Sequence, residues 1–416
     1  MNYFTIKEVE GLPIIDSRGN WTIRVYIETE GGIKSFGDAP SGLSRSTKEA
    51  IEIRDNDGTV NSAVSIVRRY IRPLIVGMDV REQSRIDKVM IDADGTGNKS
   101  RLGGNVITAT SIATLKTASA SLGLEPFQYI GGISNKNIPI PLLNIINGGL
   151  HAGSNLKIQE FLIIPLAFDT LYDALKSSIL VYKKLKENIK NKYGSIYTSV
   201  GDEGGFVIPA STTEEALNIL VRSIQDVGYK DEIKIGIDAA ASNFYKSEKY
   251  EIDGKSLSAE DLLEFYLRLI NEYPLLYIED PFKEDSIELF AELQKNAKNI
   301  IITGDDLYST NIKLLMEGIK RNATKGTIVK PNQIGTVTET IEYCKLAKEN
   351  SIKIIISHRS GDTEDSIIAD LAVGVGAEFI KTGAPARSER TSKYNRLLYL
   401  EKTYNMQYQG KKLFKV

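Results

Sequence analysis

Ile235-Gly236-Ile237-Asp238, Leu275-Leu276-Tyr277-Ile278-Glu279, Ile300-Ile301-Ile302-Thr303-Gly304-Asp305, Thr327-Ile328-Val329-Lys330, Ile354-Ile355-Ile356-Ser357-His358 and Phe379-Ile380-Lys381 follow one pattern. Each is a short apolar run that ends on a charged or ionisable residue. Most successive end residues lie roughly 25 positions apart, the length of one strand-plus-helix unit. In a parallel barrel the C-terminal strand ends all face one side, where reactive groups collect. Three carboxylates, two lysines and a histidine are therefore expected at one mouth, a set suited to acid–base chemistry on a metal-bound anion.

Helical stretches separate these runs from residue 138 onward, at 171–193, 214–227, 259–273, 284–295, 337–349 and 388–404. Leu171, Leu175, Ile179 and Tyr182 mark one apolar helical face. Ser258 with Asp261, and Thr336 with Glu339, read as N-caps followed by an acidic third residue. Alternation sustained this long predicts an α/β fold of the modified TIM (β/α)8 barrel kind, for which about 250 residues is usual. A doubly wound sheet would carry a glycine-rich phosphate loop after its first strand, and none is found there.

The first section has a different rhythm. Residues 4–9 and 21–29 alternate like half-buried strands around the turn Asp16-Ser17-Arg18-Gly19-Asn20. Gly31-Gly32 suggests a hairpin into 33–37, and helical stretches are expected at 47–54, 61–70 and 104–122. Strands followed by helices predict an N-terminal α+β capping domain over 1–131, ahead of a catalytic barrel over 138–416.

With 416 residues the chain can hold one large core and a smaller domain. A net charge of −2 without a long basic block excludes a nucleic-acid or anionic-lipid footprint, so any positive field must be local. The single cysteine, Cys344, cannot form an intrachain disulfide and reads as a buried packing thiol. Residues 1–10 lack the pattern of a signal peptide and no apolar run reaches membrane-spanning length, so a cytoplasmic location is expected.

Asp238, Glu279 and Asp305 offer hard oxygen ligands at three successive strand ends, as Mg²⁺ prefers. Taken singly, each could equally be an N-cap or salt-bridge partner of the next helix. Lys330 ends a buried strand, where it is either half of an ion pair or a general base. Bound cations and Lys381 nearby would lower its pKa toward neutrality. Glu203, in Gly201-Asp202-Glu203-Gly204-Gly205, and Glu160, in Ile158-Gln159-Glu160-Phe161, sit in apolar settings. If neighbours, their repulsion keeps one protonated, as a general acid requires; the alternative is a turn with its acids in water. The only histidines, His151 and His358, lie in glycine- or serine-flanked loops, and Arg359-Ser360 supply a guanidinium and a hydroxyl suited to phosphate.

These residues, in this order, resemble the enolase family along almost the whole chain. The most specific pieces are Asn144-Ile145-Ile146-Asn147-Gly148-Gly149-Leu150-His151-Ala152-Gly153, Asp202-Glu203-Gly204-Gly205, Lys330-Pro331-Asn332-Gln333-Ile334-Gly335-Thr336 and Ser357-His358-Arg359-Ser360-Gly361-Asp362-Thr363-Glu364-Asp365. The stretch Gly383-Ala384-Pro385-Ala386-Arg387 looks like the archaeal branch. The resemblance implies an N-terminal α+β domain on a barrel whose first strands depart from simple alternation. It also implies reversible dehydration of 2-phosphoglycerate to phosphoenolpyruvate in glycolysis and gluconeogenesis. The enolase superfamily is itself the standard example of a lysine or histidine base paired with one or two Mg²⁺ ions. On the matching positions, Asp238, Glu279 and Asp305 would hold the first Mg²⁺, and Ser44 would reach the second. Lys330 would remove the proton, Glu203 with Glu160 would protonate the departing hydroxyl, and Lys381 would hold the substrate carboxylate. Arg359, Ser360 and His151 would contact the phosphate, with His358, Glu160, Glu279 and Asp305 also at the substrate. A homodimer or an octamer of dimers, with no nucleic acid and no membrane span, is further implied.

One stretch departs from the family: Ser41-Gly42-Leu43-Ser44-Arg45-Ser46 stands where most members read Ser-Gly-Ala-Ser-Thr-Gly. The family uses this loop as a mobile lid. Ser46 removes a glycine's freedom and, with Glu49, makes a capping box that would begin the next helix earlier. Arg45 adds a cation near the phosphate, and Trp21 replaces a usual proline. Two other readings stand beside the hydratase. One is a superfamily relative acting on another α-hydroxy or α-amino carboxylate, which would leave His151, Arg359 and Ser360 unused. The other is a binding protein that keeps the fold and docks a partner through the lysines of 410–416.

Overall fold

The computed structural model describes residues 3–42, 46, 48–133 and 135–414. The chain opens with an antiparallel sheet of β1 (Ile6–Ile15), β2 (Trp21–Thr29) and β3 (Lys34–Asp38). Alternation along β2 buries Ile23, Val25 and Ile27, which pack with Val106, Ile107 and Ala113 in a first hydrophobic core. Five α-helices follow among the described residues: α1 (Asn61–Ile66), α2 (Arg72–Ile75), α3 (Gln83–Asp94), α4 (Gly104–Ser121) and α5 (Pro126–Gly131). The helix expected at 61–70 continues from α1 through a π-helical turn, Val67–Ile71, into α2. α4 is buried along almost its whole length because it has partners on both sides. Thr108 donates to Gly335 O at 3.1 Å, and the Ser111 hydroxyl accepts from Val337 N at 2.9 Å.

The helix expected at 47–54 does not form over its described residues. Helical amides must point at carbonyls four residues back, and here they are taken elsewhere. Ala50 N donates to Gln333 O and Ile51 N to Asn98 O, both at 2.8 Å, while Ile51 O accepts from Gly104 N at 2.6 Å. Of the Ser46–Glu49 pairing, Ser46 N donates to Glu49 Oε1 at 3.3 Å and Glu49 N to Ser46 O at 3.2 Å, while the Glu49 carboxylate is drawn to Arg359. Ser44 and Arg45 lie outside the described residues.

Eight strands close the barrel: β4 (Ile140–Asn147), β5 (Glu160–Pro165), β6 (Ile233–Asp238), β7 (Leu275–Glu279), β8 (Ile301–Gly304), β9 (Gly326–Val329), β10 (Lys353–Ser357) and β11 (Phe379–Lys381). Each pairs with the next, and β11 pairs back to β4. All run parallel except β5, which is antiparallel to both neighbours and follows β4 with no α-helix between them. The fold is therefore a modified TIM barrel. Strands covered on both faces read as unbroken apolar runs, and β4 and β5 are buried at every position.

The barrel is wrapped by α6 (Leu171–Tyr193), α7 (Thr213–Asp226), α8 (Ala259–Glu272), α9 (Ile287–Asn296), α10 (Ile312–Arg321), α11 (Val337–Glu349), α12 (Ile367–Val375) and α13 (Ser388–Tyr404). Both expected N-caps are in place. Asp261 N donates to Ser258 Oγ, and Glu339 N to Thr336 Oγ1, each at 3.1 Å. The buried face of α6 differs from expectation: it runs through Leu171, Ala174, Leu175, Val181, Leu185 and Ile189, leaving Ile179 exposed. Helices α3, α5, α10 and α12 are additions to the sequence reading. α12 is buried all round, so it has no polar face to set a period.

Cys344 is buried on α11, and burial pushes its thiol up to about 12. The thiolate is the reactive form. The native protein should therefore leave Ellman's reagent unreduced and release one equivalent of thiol only on unfolding. Rapid reaction of the folded chain would contradict this burial.

Candidate active site

Parallel strands pointing one way bring their last residues to a common mouth. Asp238, Glu279 and Lys381 are the final residues of β6, β7 and β11; Asp305, Lys330 and His358 each follow the end of β8, β9 and β10 by one. Asp238 and Glu279 are directly opposite in register. Glu160 starts β5, yet that strand is reversed, so its first residue falls opposite Asp238 at the same mouth. The residues singled out from sequence, apart from Glu279 and the undescribed Ser44, line one cleft. Glu279 lies beneath it, fully buried.

Paired charges line the cleft. Lys381 Nζ lies 2.8 Å from Asp238 Oδ2, 2.9 Å from both Glu279 oxygens and 3.2 Å from Glu160 Oε2. The last contact is ionic without hydrogen-bond alignment, and Glu160 Oε2 has no hydrogen-bond partner. Burial opposes the Lys381 charge, but Asp238, Glu160 and Glu279 outweigh it and hold the lysine well above its usual range. Lys330 Nζ pairs with Asp305 Oδ2, whose other oxygen accepts from Gln333 Nε2 at 3.2 Å. Burial opposes the Lys330 charge, but the Asp305 carboxylate outweighs it and raises the pKa. Arg359 is likewise engaged, its Nη1 donating to Glu49 Oε2 at 2.8 Å.

Two acids next to the expected ones went unrecognised. Asp280 follows Glu279 in a left-handed conformation (φ +40°) and accepts from Asp305 N at 2.9 Å and Asp306 N at 2.8 Å. Among the described residues, ligand atoms of Asp280, Asp305 and Asp306 lie within 4.8 Å of one another, as do those of His151, Glu160 and Glu203. Asp238, Glu279 and Asp305 do not form such a set, since Lys381 is wedged between the first two and Lys330 holds the third. Burial and mutual repulsion push Glu279, Asp280 and Asp306 upward. A mouth with more carboxyl groups than cations, all hard oxygen donors, fits a divalent ion of the Mg²⁺ type. The doubled acids Glu279-Asp280 and Asp305-Asp306 were the available sequence signal.

On the opposite wall, Glu203 Oε1 faces His358 Nε2 at 3.4 Å and His151 Nδ1 at 3.6 Å, while Asn144 Nδ2 donates to Oε2 at 3.0 Å. Burial favours the neutral acid, but the two imidazoles and Arg390 hold Glu203 well below the usual carboxylate range. Burial pushes His358 down to about 4, so the ring is neutral at pH 7 and acts on Glu203 through N–H. Burial and the Glu203 charge push Glu160 well above its usual range, making it the protonated member of the pair. Two glycines allow this loop its approach. Gly204 (φ +83°) would place a Cβ 2.9 Å from Ala386 O, and Gly383 (φ +78°) would place one 2.8 Å from Glu203 O.

The chain matches two family models: "Enolase, C-terminal TIM barrel domain" over residues 135–416 and "Enolase, N-terminal domain" over residues 6–130. It belongs to the enolase family. It is 59% identical over 414 residues to the enolase of Saccharolobus islandicus and 58% identical over 413 residues to that of Sulfurisphaera tokodaii, with 99% of each chain covered. The enolase of Metallosphaera sedula is 56% identical over 415 residues, covering 99% of this chain and 100% of that one. Membership of this family makes the protein a lyase of the phosphopyruvate hydratase class. No helix among the described residues is long and apolar enough to cross a membrane.

Gly204→Ala should lower stability by about 1–3 kcal/mol through left-handed strain and the Ala386 contact. Thermal unfolding measures it, and an unchanged midpoint would show that the Glu203 loop does not need this glycine.

Proposed function

We propose that the protein catalyses Mg²⁺-dependent, reversible dehydration of 2-phosphoglycerate to phosphoenolpyruvate. The observation that carries the reading is the meeting, at one barrel mouth, of two buried lysines with an excess of carboxyls and, opposite them, a second carboxyl pair of which one member is protonated. Asp238, Glu279 and Asp305 would hold the first Mg²⁺, and Ser44 the second. Bound there, the ions would neutralise charge building on the substrate carboxylate as its α-proton leaves.

Lys330 takes the proton from C2. Its nitrogen can do so only as the neutral amine, which the Asp305 charge opposes and a divalent cation close by would favour. Lys381, freed from Asp238 and Glu279, would face the substrate carboxylate. The Glu160–Glu203 pair delivers a proton to the C3 hydroxyl, which leaves as water while the C2–C3 double bond forms. His151, Arg359 and Ser360 would receive the phosphate, Arg359 exchanging Glu49 for it, with His358 completing the wall. The reading extends to a cytoplasmic homodimer or octamer, supported by exposed Leu12, Ile15 and Trp21 around the first hairpin.

Phosphoenolpyruvate should form from 2-phosphoglycerate in the presence of Mg²⁺, followed by its ultraviolet absorbance, and chelation should stop it. Lys330→Ala should cut turnover by about 10²–10⁴-fold while leaving a folded protein, because it removes a proton acceptor. Normal turnover in that variant would refute the role given to Lys330. Mg²⁺ should also raise the midpoint of thermal unfolding, as any ligand of the native state does. Asp238→Asn should reduce that rise, and an undiminished one would exclude Asp238 as a ligand.

A further inference from the structure

Arg390, on the first turn of α13, is a fully buried guanidinium that the reaction above does not use. The nearest carboxylates, Glu389 Oε1 at 3.4 Å and Asp362 Oδ2 at 3.8 Å, make no hydrogen bond with it. Its terminal nitrogens are spent otherwise. Nη1 donates to Arg359 O at 2.6 Å and lies 2.7 Å from His358 Nδ1; Nη2 donates to Ser360 O at 2.6 Å and Asp202 O at 3.1 Å. Each terminal nitrogen carries two hydrogens, and a guanidinium accepts none. The four contacts therefore account for all four hydrogens, and His358 Nδ1 must be the acceptor. The one ring proton is then on Nε2, the nitrogen that faces Glu203 Oε1.

We propose that Arg390 is a positioning residue for the acid–base pair: it fixes His358 as the neutral tautomer whose Nε2–H is presented to Glu203. The inference deepens the hydratase reading and rests on it for the catalytic meaning of Glu203. Three charged groups face the ring. Glu203 and Asp362 favour a second ring proton, whereas Arg390, with burial, opposes it. A ring protonated at Nδ1 would turn an N–H against a donor-only cation. The neutral donor keeps Glu203 ionised without taking its own proton into the exchange, so the proton for the departing hydroxyl is left on Glu160. Sequence reading gave Arg390 no role because its partners are three backbone carbonyls and one ring nitrogen.

The chain has only two histidines, so ring ¹⁵N spectra resolve the question directly. His151→Gln assigns the signals. Between about pH 5.5 and 8, where an unperturbed imidazole would titrate, His358 should show a protonated Nε2, a hydrogen-bonded bare Nδ1 and no imidazolium. In Arg390→Gln the ring should titrate inside that range, and kcat should fall roughly tenfold or more with a smaller change in KM. Arg390→Lys, which restores a donor-only cation, should recover the Nε2–H form and part of kcat. An Nδ1–H or imidazolium form of His358 in the unmodified protein would overturn the proposal, and so would unchanged ring signals in folded Arg390→Gln. The unmodified spectrum decides even where the variant does not fold. It needs no substrate, so it is independent of the assay that tests the hydratase reading.

Discussion

An ammonium group buried among carboxylates sets the terms for the rest of this molecule. Lys381 touches Asp238 and Glu279 and lies in ionic reach of Glu160, all of them buried at the end of a barrel strand or at the start of the reversed one. Stripping water from such groups is expensive, and removing one partner of a buried pair typically costs about 3–5 kcal/mol because a bare charge remains. Barrel closure leaves no choice about where these side chains go, since register fixes Asp238 opposite Glu279 and Ser357 opposite Lys381. The mouth must therefore carry cations, and Lys381 and Lys330 supply two of them.

The N-terminal domain is tied to the same balance. Segment 48–54 gives up helical hydrogen bonds to bond with residues of both domains, Gln333 in one and Asn98 and Gly104 in the other, and in doing so delivers Glu49 to Arg359. Ser41 and Gly361 exchange backbone hydrogen bonds, from Ser41 N at 2.7 Å and from Gly361 N at 2.8 Å, and Ser17 N donates to Asp362 O at 2.8 Å. These contacts hold the N-terminal turns against the segment that carries His358, Arg359 and Ser360. A ligand that competes with Glu49 for Arg359 would be felt in both domains.

Much of this was legible in the residues. An apolar run buried on both faces and ending in a charge is what a barrel strand must look like, so the six strands β6 to β11 and the identity of their end groups could be read in advance. Glu160 was different: it starts its strand instead of ending it, and only the reversal of β5 brings it to the mouth. Asp280 works through two backbone amides, Glu49 through an ion pair that replaces a helix, and Arg390 through carbonyl oxygens. None of those leaves a periodic trace. α12 escaped for the opposite reason, being apolar on every side.

The proposed function needs a divalent ion on the carboxylates at the barrel mouth, and Mn²⁺ offered in place of Mg²⁺ to crystals of the protein makes that ion visible. Anomalous difference maps at the manganese edge should show density bound by Asp238, Glu279 and Asp305, with the Lys381 and Lys330 ammonium groups withdrawn from them. Both lysines still seated on their carboxylates, with manganese absent or bound elsewhere, would contradict it.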